Sequence, residues 1–396
     1  MVVPGLLIEI ARTLVSLYFR LVADPREEAA RRPLARVAAP TERGRIVARG
    51  SAENPANRFE PLAYAEDPEF VDDAPDDGER APALPTRYYR DPSRTLIARN
   101  ESPDVGFDAS INPYRGCSHG CSYCYARPTH EYLGLSAGLD FETHILVKED
   151  APALLEKTLR APGWKPEVIA ISGVTDPYQP VERKLRITRG CLVVLAKYRN
   201  PCSIITKSGL VTRDIDLLRE LAEHDAAAVN VSITSLDDSI RRVMEPRASP
   251  PHERLRAVEA LANAGVPVGV LVAPIVPGLT DSEIPALVAA AAAAGARTVR
   301  SVVLRLPHGV ADLFEAWLAR HFPDRAAKVM SRVRAMRGGN RYDSRYFTRQ
   351  RGQGVFADQI ASLFDLACRR AGVNQVEPKL STAAFRRPGG EQLALL

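Results

Sequence analysis

Six cysteines in 396 residues are too few, in a chain this long, for a disulfide framework. A strong excess of one charge is also missing. Lys and Arg number 53 and Asp and Glu 48, a balance of +5 that is too mild to imply a nucleic-acid partner by itself. No apolar run reaches the roughly 20 nearly uncharged residues that a membrane span needs. The best candidate, residues 5–22, is broken by Glu9, Arg12 and Arg20, and no basic stretch precedes it. It reads as an amphipathic helix, or as residues added by a start codon assigned too early, rather than as a span or a secretory signal. The expected compartment is cytoplasmic, where thiols stay reduced. Hydrophobic residues at 45% and charged residues at 26% exclude bulk disorder. Glycine is scarcer than proline, 25 against 31, which favours long loops.

What is present divides into four stretches. Residues 1–104 read as a partly disordered N-terminal extension, rich in Pro, Ala and charge and poor in periodicity. Residues 105–308 are the core, 309–373 a helical, basic C-terminal region, and 374–396 a flexible tail. Charge is patterned across them. Residues 53–80 carry ten acids and two bases, and residues 325–351 carry nine bases and one acid, Asp343. Two solvated faces explain this pattern. An acidic segment that covers the basic one until substrate arrives explains it too.

From residue 105, short apolar, β-branched runs alternate with helical patterns. The runs are 109–112, 143–147, 168–172, 202–207, 228–234, 266–274 and 299–306, and the helices 151–160, 189–199, 214–224, 251–264 and 282–295. Asp214 and Ser282 have the character of helix caps, and Gly265 and Gly295 of helix stops. Such alternation means βαβ units and a mainly parallel sheet, suiting a partial or complete (β/α) barrel. A barrel of this kind carries its chemistry on the loops after its strands.

After the first run comes Cys117-Ser-His-Gly-Cys121-Ser-Tyr-Cys124, a C-x3-C-x2-C spacing. Three thiolates so close can hold a metal or an iron–sulfur cluster. A [4Fe–4S] cluster takes one thiolate per iron, so three would leave one iron open to a small ligand. Gly116 and Gly120 permit a tight backbone path. Tyr123 offers an aromatic face. Structural zinc, with His119 or a distant fourth ligand, is the alternative, although zinc sites more often use two C-x2-C pairs. Cys191, Cys202 and Cys368 are scattered and read as small core residues.

This spacing, with an aromatic before the third Cys, resembles the signature of the radical S-adenosylmethionine (radical SAM) superfamily. The resemblance runs over residues 105–308. It implies an α/β fold, a partial (β/α)6 TIM-like barrel, with the loop-rich extension before it and the helical region after it. It implies that Cys117, Cys121 and Cys124 bind a [4Fe–4S] cluster whose fourth iron is chelated by S-adenosyl-L-methionine (SAM). One electron, from a donor such as flavodoxin or ferredoxin, then cleaves SAM to a 5′-deoxyadenosyl radical that abstracts hydrogen. Further SAM contacts are implied at Tyr123, Ser172, Gly173, Thr175, Lys207 and Ser232, with the stretch 272–281 against the adenine and Arg305 and Leu306 closing that side. A Lys at a strand end and a Ser in a strand also have ordinary readings, as a surface residue and a satisfied core hydroxyl.

The runs Thr-Lys-Ser and Ser-Ile-Thr-Ser, with 57–60 (Asn-Arg-Phe-Glu) and 110–117, resemble a little-characterised bacterial branch near spore photoproduct lyase. That lyase has a cysteine hydrogen donor near the end of the strand after its cluster loop, and 172–178 contains no Cys. The resemblance therefore implies the general radical chemistry and not the lyase reaction. Arg332, Arg334, Arg337, Arg341, Arg345, Arg349 and Arg351, interleaved with Tyr342, Tyr346 and Phe347, suit single-stranded or flipped nucleic acid. They equally suit an Arg-rich helix and loop packed under the barrel. Two functions remain: a radical SAM enzyme with a nucleic-acid or nucleotide-like substrate, and a non-catalytic iron–sulfur or zinc module that binds nucleic acid.

Overall fold

The computed structural model describes residues 49–59 and 84–388. The candidate amphipathic helix at 5–22, most of the acidic stretch 53–80 and the end of the tail lie outside the described residues. Ten strands are present among those described. They are β1 (Arg87–Arg90), β2 (Ile97–Arg99), β3 (Ala109–Ile111), β4 (Tyr114–Arg115), β5 (His144–Val147), β6 (Ile169–Ile171), β7 (Cys202–Thr206), β8 (Ala227–Ser232), β9 (Val268–Ile275) and β10 (Thr298–Val303).

Seven of them form one sheet in the order β10-β9-β8-β7-β6-β3-β2. From β3 to β10 every pairing is parallel, and β2 runs antiparallel at the β3 edge. Six parallel strands in chain order are the expected (β/α)6 arrangement. The strands are apolar because parallel sheets covered by helices are buried on both faces. Helix Pro251–Asn263 shows the matching logic: Arg254, Ala257, Val258 and Leu261 are buried, a spacing of three, four and seven residues. Helix Ile284–Ala293 repeats it with Ile284, Leu287, Val288 and Ala291. Gly265 and Gly295 do end these helices, at φ 78° and 92°.

Two expectations change. The run 143–147 is not a barrel strand. Its residues His144–Val147 sit between β1 and β4 in a separate three-stranded sheet. A short apolar run states that it is buried, not which sheet buries it. Asp214 occupies a helix N-cap position but makes no capping bond, because its carboxylate bonds Arg189, Arg213 and Tyr178. Ser282 lies within a short 3-10 turn ahead of its helix and caps nothing.

Residues before 105 do more than extend the chain. β1 and β2 join the two sheets, and residues 49–59 lie along the cysteine loop through bonds described below. At the other end, helix Val355–Ala371 packs on helix Ile284–Ala293, while helices Val310–His321 and Pro323–Ala335 build a second apolar core with Cys121, Tyr123, Met244 and Leu306. Among the described residues no helix is long and apolar enough to cross a membrane.

Candidate functional site

The cysteine loop leaves β4 through Gly116, at φ 82°, and turns again at Gly120, at φ 67°. A side chain at Gly116 would meet His130 Cε1 at 2.7 Å, and one at Gly120 would meet Glu142 Oε2 at 2.5 Å. The glycines are thus required by crowding as well as by backbone angle. Cys117 and Cys121 are buried and Cys124 half-buried. Burial pushes the Cys121 and Cys124 thiols up; Glu245, Cys124 and Cys117 add to this for Cys121, and Cys117 for Cys124. Among the described residues no three His, Cys, Asp or Glu side chains converge as a set for one ion.

Backbone bonds to helix Asp140–Thr143 and to the end of helix Asp238–Met244 and the turn after it fix the loop. Cys117 N–H donates to Phe141 O at 2.9 Å, Ser122 N–H to Met244 O at 3.0 Å, and Arg247 N–H to His119 O at 3.2 Å. Gln179 holds its start, accepting from Ser118 N–H at 3.0 Å and donating to Gly116 O at 3.3 Å. Thr175 donates to the same Gly116 carbonyl at 2.8 Å, so its hydroxyl braces the loop.

The strand ends meet this loop from the side. After β6, Ser172 and Gly173 take φ 143° and 130°. A non-glycine residue there is strained, and strain of this kind collects at functional sites. Gly173 O accepts from Tyr125 OH at 2.5 Å. After β7, Lys207 extends its ammonium to 5.9 Å from the Tyr123 ring centre. Burial works against the Lys207 charge, but Cys121, Glu245 and Asp176 raise its pKa overall. No carboxylate among the described residues pairs with it. Past β10, the Arg305 guanidinium lies 5.0 Å over the Tyr125 ring, and its buried Nε has no hydrogen-bond partner. Two cations therefore face the loop, and neither forms a salt bridge with a carboxylate among the described residues.

Ser232, at the end of β8, is buried and donates to Ala273 O at 2.9 Å, while its own carbonyl accepts from Arg254 at 2.8 Å. Its hydroxyl is thus already engaged, the satisfied core role. Glu245 forms a buried knot with Arg254, Tyr123 and Thr234, the last bond being 2.7 Å. Burial opposes its charge, yet Arg254 and Lys207 hold its carboxyl down at about 2. Glu245 is thus a salt-bridge partner of Arg254, and its bond to the Tyr123 hydroxyl orients that ring. His119 Nδ1 lies 3.3 Å from Asp176 Oδ2. Burial disfavours its charge, but Asp176 and Cys117 outweigh this and raise its pKa to about 9.

The basic C-terminal stretch comes to the same mouth with most of its charge already spent. Arg332 pairs with Asp281, Arg334 with Glu315, Arg341 with Asp312, Arg345 with Asp343 and Arg349 with Asp104. Arg337 is buried and bonds the carbonyls of Leu304 and Thr348, so it is not available to a phosphate. Composition missed two further residues, Arg127 and Glu142. Arg127 bonds Cys121 O at 2.8 Å and Glu142 at 2.5 Å. Arg127 could have been noticed three positions after Cys124; nothing local marks Glu142.

A family model described as the Radical SAM superfamily matches residues 111–291. An uncharacterized protein of Mycobacterium tuberculosis is 39% identical over 244 residues, which are 60% of this chain and 71% of that protein. An uncharacterized protein of Methanocaldococcus jannaschii is 32% identical over 173 residues, 44% of this chain and 62% of that one. Among solved structures, a mutant of spore photoproduct lyase aligns with a TM-score of 0.48 at 18% identity, covering 72% of this chain and 78% of the lyase.

Proposed function

Because the chain belongs to the radical SAM superfamily, whose cofactors are a [4Fe–4S] cluster and SAM, we propose that Cys117, Cys121 and Cys124 hold that cluster and Lys207 binds the carboxylate of SAM. The substrate in this reading is a nucleic acid or a nucleotide-like molecule. The observation that carries it is the Lys207 ammonium, 5.9 Å from the Tyr123 ring centre and without a salt-bridge partner among the described residues. An anion is the natural occupant of the space it faces.

When bound, the cofactors supply one-electron cleavage of SAM and abstraction of hydrogen from substrate. The chain's own residues bind, orient and exclude water. Tyr123 is held by Glu245 and forms a wall for the methionyl group. The half-buried backbone at Ser172 and Gly173, where Gly173 carries no side chain, gives the cofactor close approach, and Arg305 over Tyr125 closes the far side. Ser232 and Thr175 act one step back, through Ala273 and Gly116. Trp317 and Phe314, packed in the second core, keep water from beneath the loop. Electrons come from a small donor such as flavodoxin or ferredoxin. The substrate class is supported by Arg325, Lys328 and Arg351, which have no carboxylate partner among the described residues, and by Tyr346 and Phe347, exposed close to the end of β10.

The test is anaerobic reconstitution with iron and sulfide, reduction, and assay for 5′-deoxyadenosine and methionine. Both are expected from the parent. Cys121→Ala is expected to lose the cluster. Lys207→Met is expected to keep full iron but bind SAM roughly tenfold more weakly, the scale of one charge-assisted bond. A brown protein that leaves SAM intact would favour the non-catalytic module, and iron retained in Cys121→Ala would overturn the ligand assignment.

A further inference from the structure

Phe347 has φ 63° and ψ −51°, a conformation that a bulky L-residue rarely adopts. It is the centre of a γ-turn, since Thr348 N–H donates to Tyr346 O at 2.7 Å. The positive-φ form of this turn is rare and strained. The strain persists because the surroundings over-determine it. The buried Asp104 carboxylate accepts from Phe347 N–H at 3.0 Å and from Arg349 Nε at 2.7 Å, and Gln350 reaches the Asp104 carbonyl at 2.5 Å. From the other side Arg337 ties Thr348 O, at 2.6 Å, to Leu304 O, at 2.8 Å, one residue before Arg305.

All this restraint serves no burial. Phe347 is 57% exposed and Tyr346 52%. A hydrophobic residue gains nothing from being held in solvent in a strained turn, so the cost implies a ligand. The turn stands beside the mouth: Arg349, which supports the Tyr346 ring at 4.9 Å, also acts electrostatically on Tyr125, the residue after Cys124. In the surrounding stretch Arg325, Lys328 and Arg351 keep their charge, without a carboxylate partner among the described residues. Flat aromatics presented at a cationic mouth fit bases of an unpaired strand, which stack on any π-face while phosphates meet the positive field.

We propose that Phe347, with Tyr346 beside it, is a stacking platform for a base of a single-stranded nucleic acid next to the reacting nucleotide. The proposal rests on the nucleic-acid reading above and adds the residue that receives the strand. Phe347 acts in binding, not in cofactor cleavage.

The experiment measures anisotropy of a labelled twelve-residue oligothymidylate with the reconstituted enzyme and SAM, without oxygen, across a salt series. Parent, Phe347→Gly, Phe347→Ala and Phe347→Trp are compared. Glycine is at ease at φ 63°, so Phe347→Gly is expected to melt at or above the parent temperature and to make 5′-deoxyadenosine at the parent rate without oligonucleotide. Its affinity is expected to fall about tenfold, the scale of one base–aromatic stack, with the salt slope unchanged. Phe347→Trp is expected to keep the parent affinity. Parent-level affinity in Phe347→Gly, alongside firm parent binding, overturns the platform and leaves the nucleic-acid reading standing. A parent that binds no oligonucleotide even at low salt overturns both.

Discussion

Where Gly116 turns the chain, the His130 ring fills the place a side chain would need. The imidazole is buried, stands edge-on to Phe141 with ring centres 5.2 Å apart, and donates through Nε2 to His144 O at 2.9 Å. Its Nδ1 is buried and has no hydrogen-bond partner among the described residues. A second proton there would have no acceptor, and burial lowers the pKa to about 4. An unfolded His takes its proton near pH 6.5. Between those values the unfolded chain binds a proton that the folded chain refuses. Stability is therefore full above about pH 6.5 and falls as pH drops toward 4, by at most about 3 kcal/mol from this residue. Melting of the iron-free chain is expected to come at progressively lower temperature from pH 7 to pH 5. His130→Asn is expected to flatten that slope without abolishing it, because burial lowers His144 in the same direction. An equal slope in parent and variant would rule out His130 as its source.

At the scale of elements, the Glu142 carboxylate ties residues 49–59 to the cysteine loop, alongside bonds from Asn54 to Asp140 and from Arg58 to Glu131. Glu142, fully buried, accepts from Gly50 N–H at 3.1 Å and Ser51 N–H at 2.9 Å and pairs with Arg127, which in turn holds Cys121 O. Gly50 lies so close that a side chain on it would stand 1.7 Å from Gly120 O. Glu142→Gln leaves the Arg127 guanidinium buried beside a neutral amide, and removing one partner of such a pair costs about 3–5 kcal/mol. A lower denaturant midpoint and new protease sensitivity at 49–59 are expected; an unchanged midpoint with the segment still protected would reject the grip. This clasp also marks the limit of what the sequence discloses. Strands β6 to β10 and the helices between them are legible because each repeats a period over several residues. The cysteine triplet is legible because its spacing is local, and Lys207 because it ends a strand. Glu142 and Arg254 are not, since a buried charge is recognised only by a partner that the fold supplies. Residues 49–59 have no period at all, and they are held by backbone amides and single side chains some 90 positions from their partners.

For the molecule as a whole, net charge misstates what a nucleic acid would meet. Nine bases in 325–351 suggest a broad phosphate-binding surface. Five of them are paired with acids drawn from other elements or from the same turn, and Arg337 is turned to carbonyls. Among the described residues Arg325, Lys328 and Arg351 have no carboxylate partner. A single strand loses about 0.7 in the logarithm of affinity per phosphate neutralised, for each tenfold rise in salt. Nine free bases would give a slope of about −6, and three give about −2. The expected slope for oligothymidylate is about −2, with affinity owed more to stacking than to counterion release. A slope near −6 would mean that the internal pairs open when the strand arrives, so that Asp104, Asp281 and Asp312 compete with phosphate for the same arginines. The restraint on Phe347 through Asp104 would then be released by the very ligand it was meant to receive.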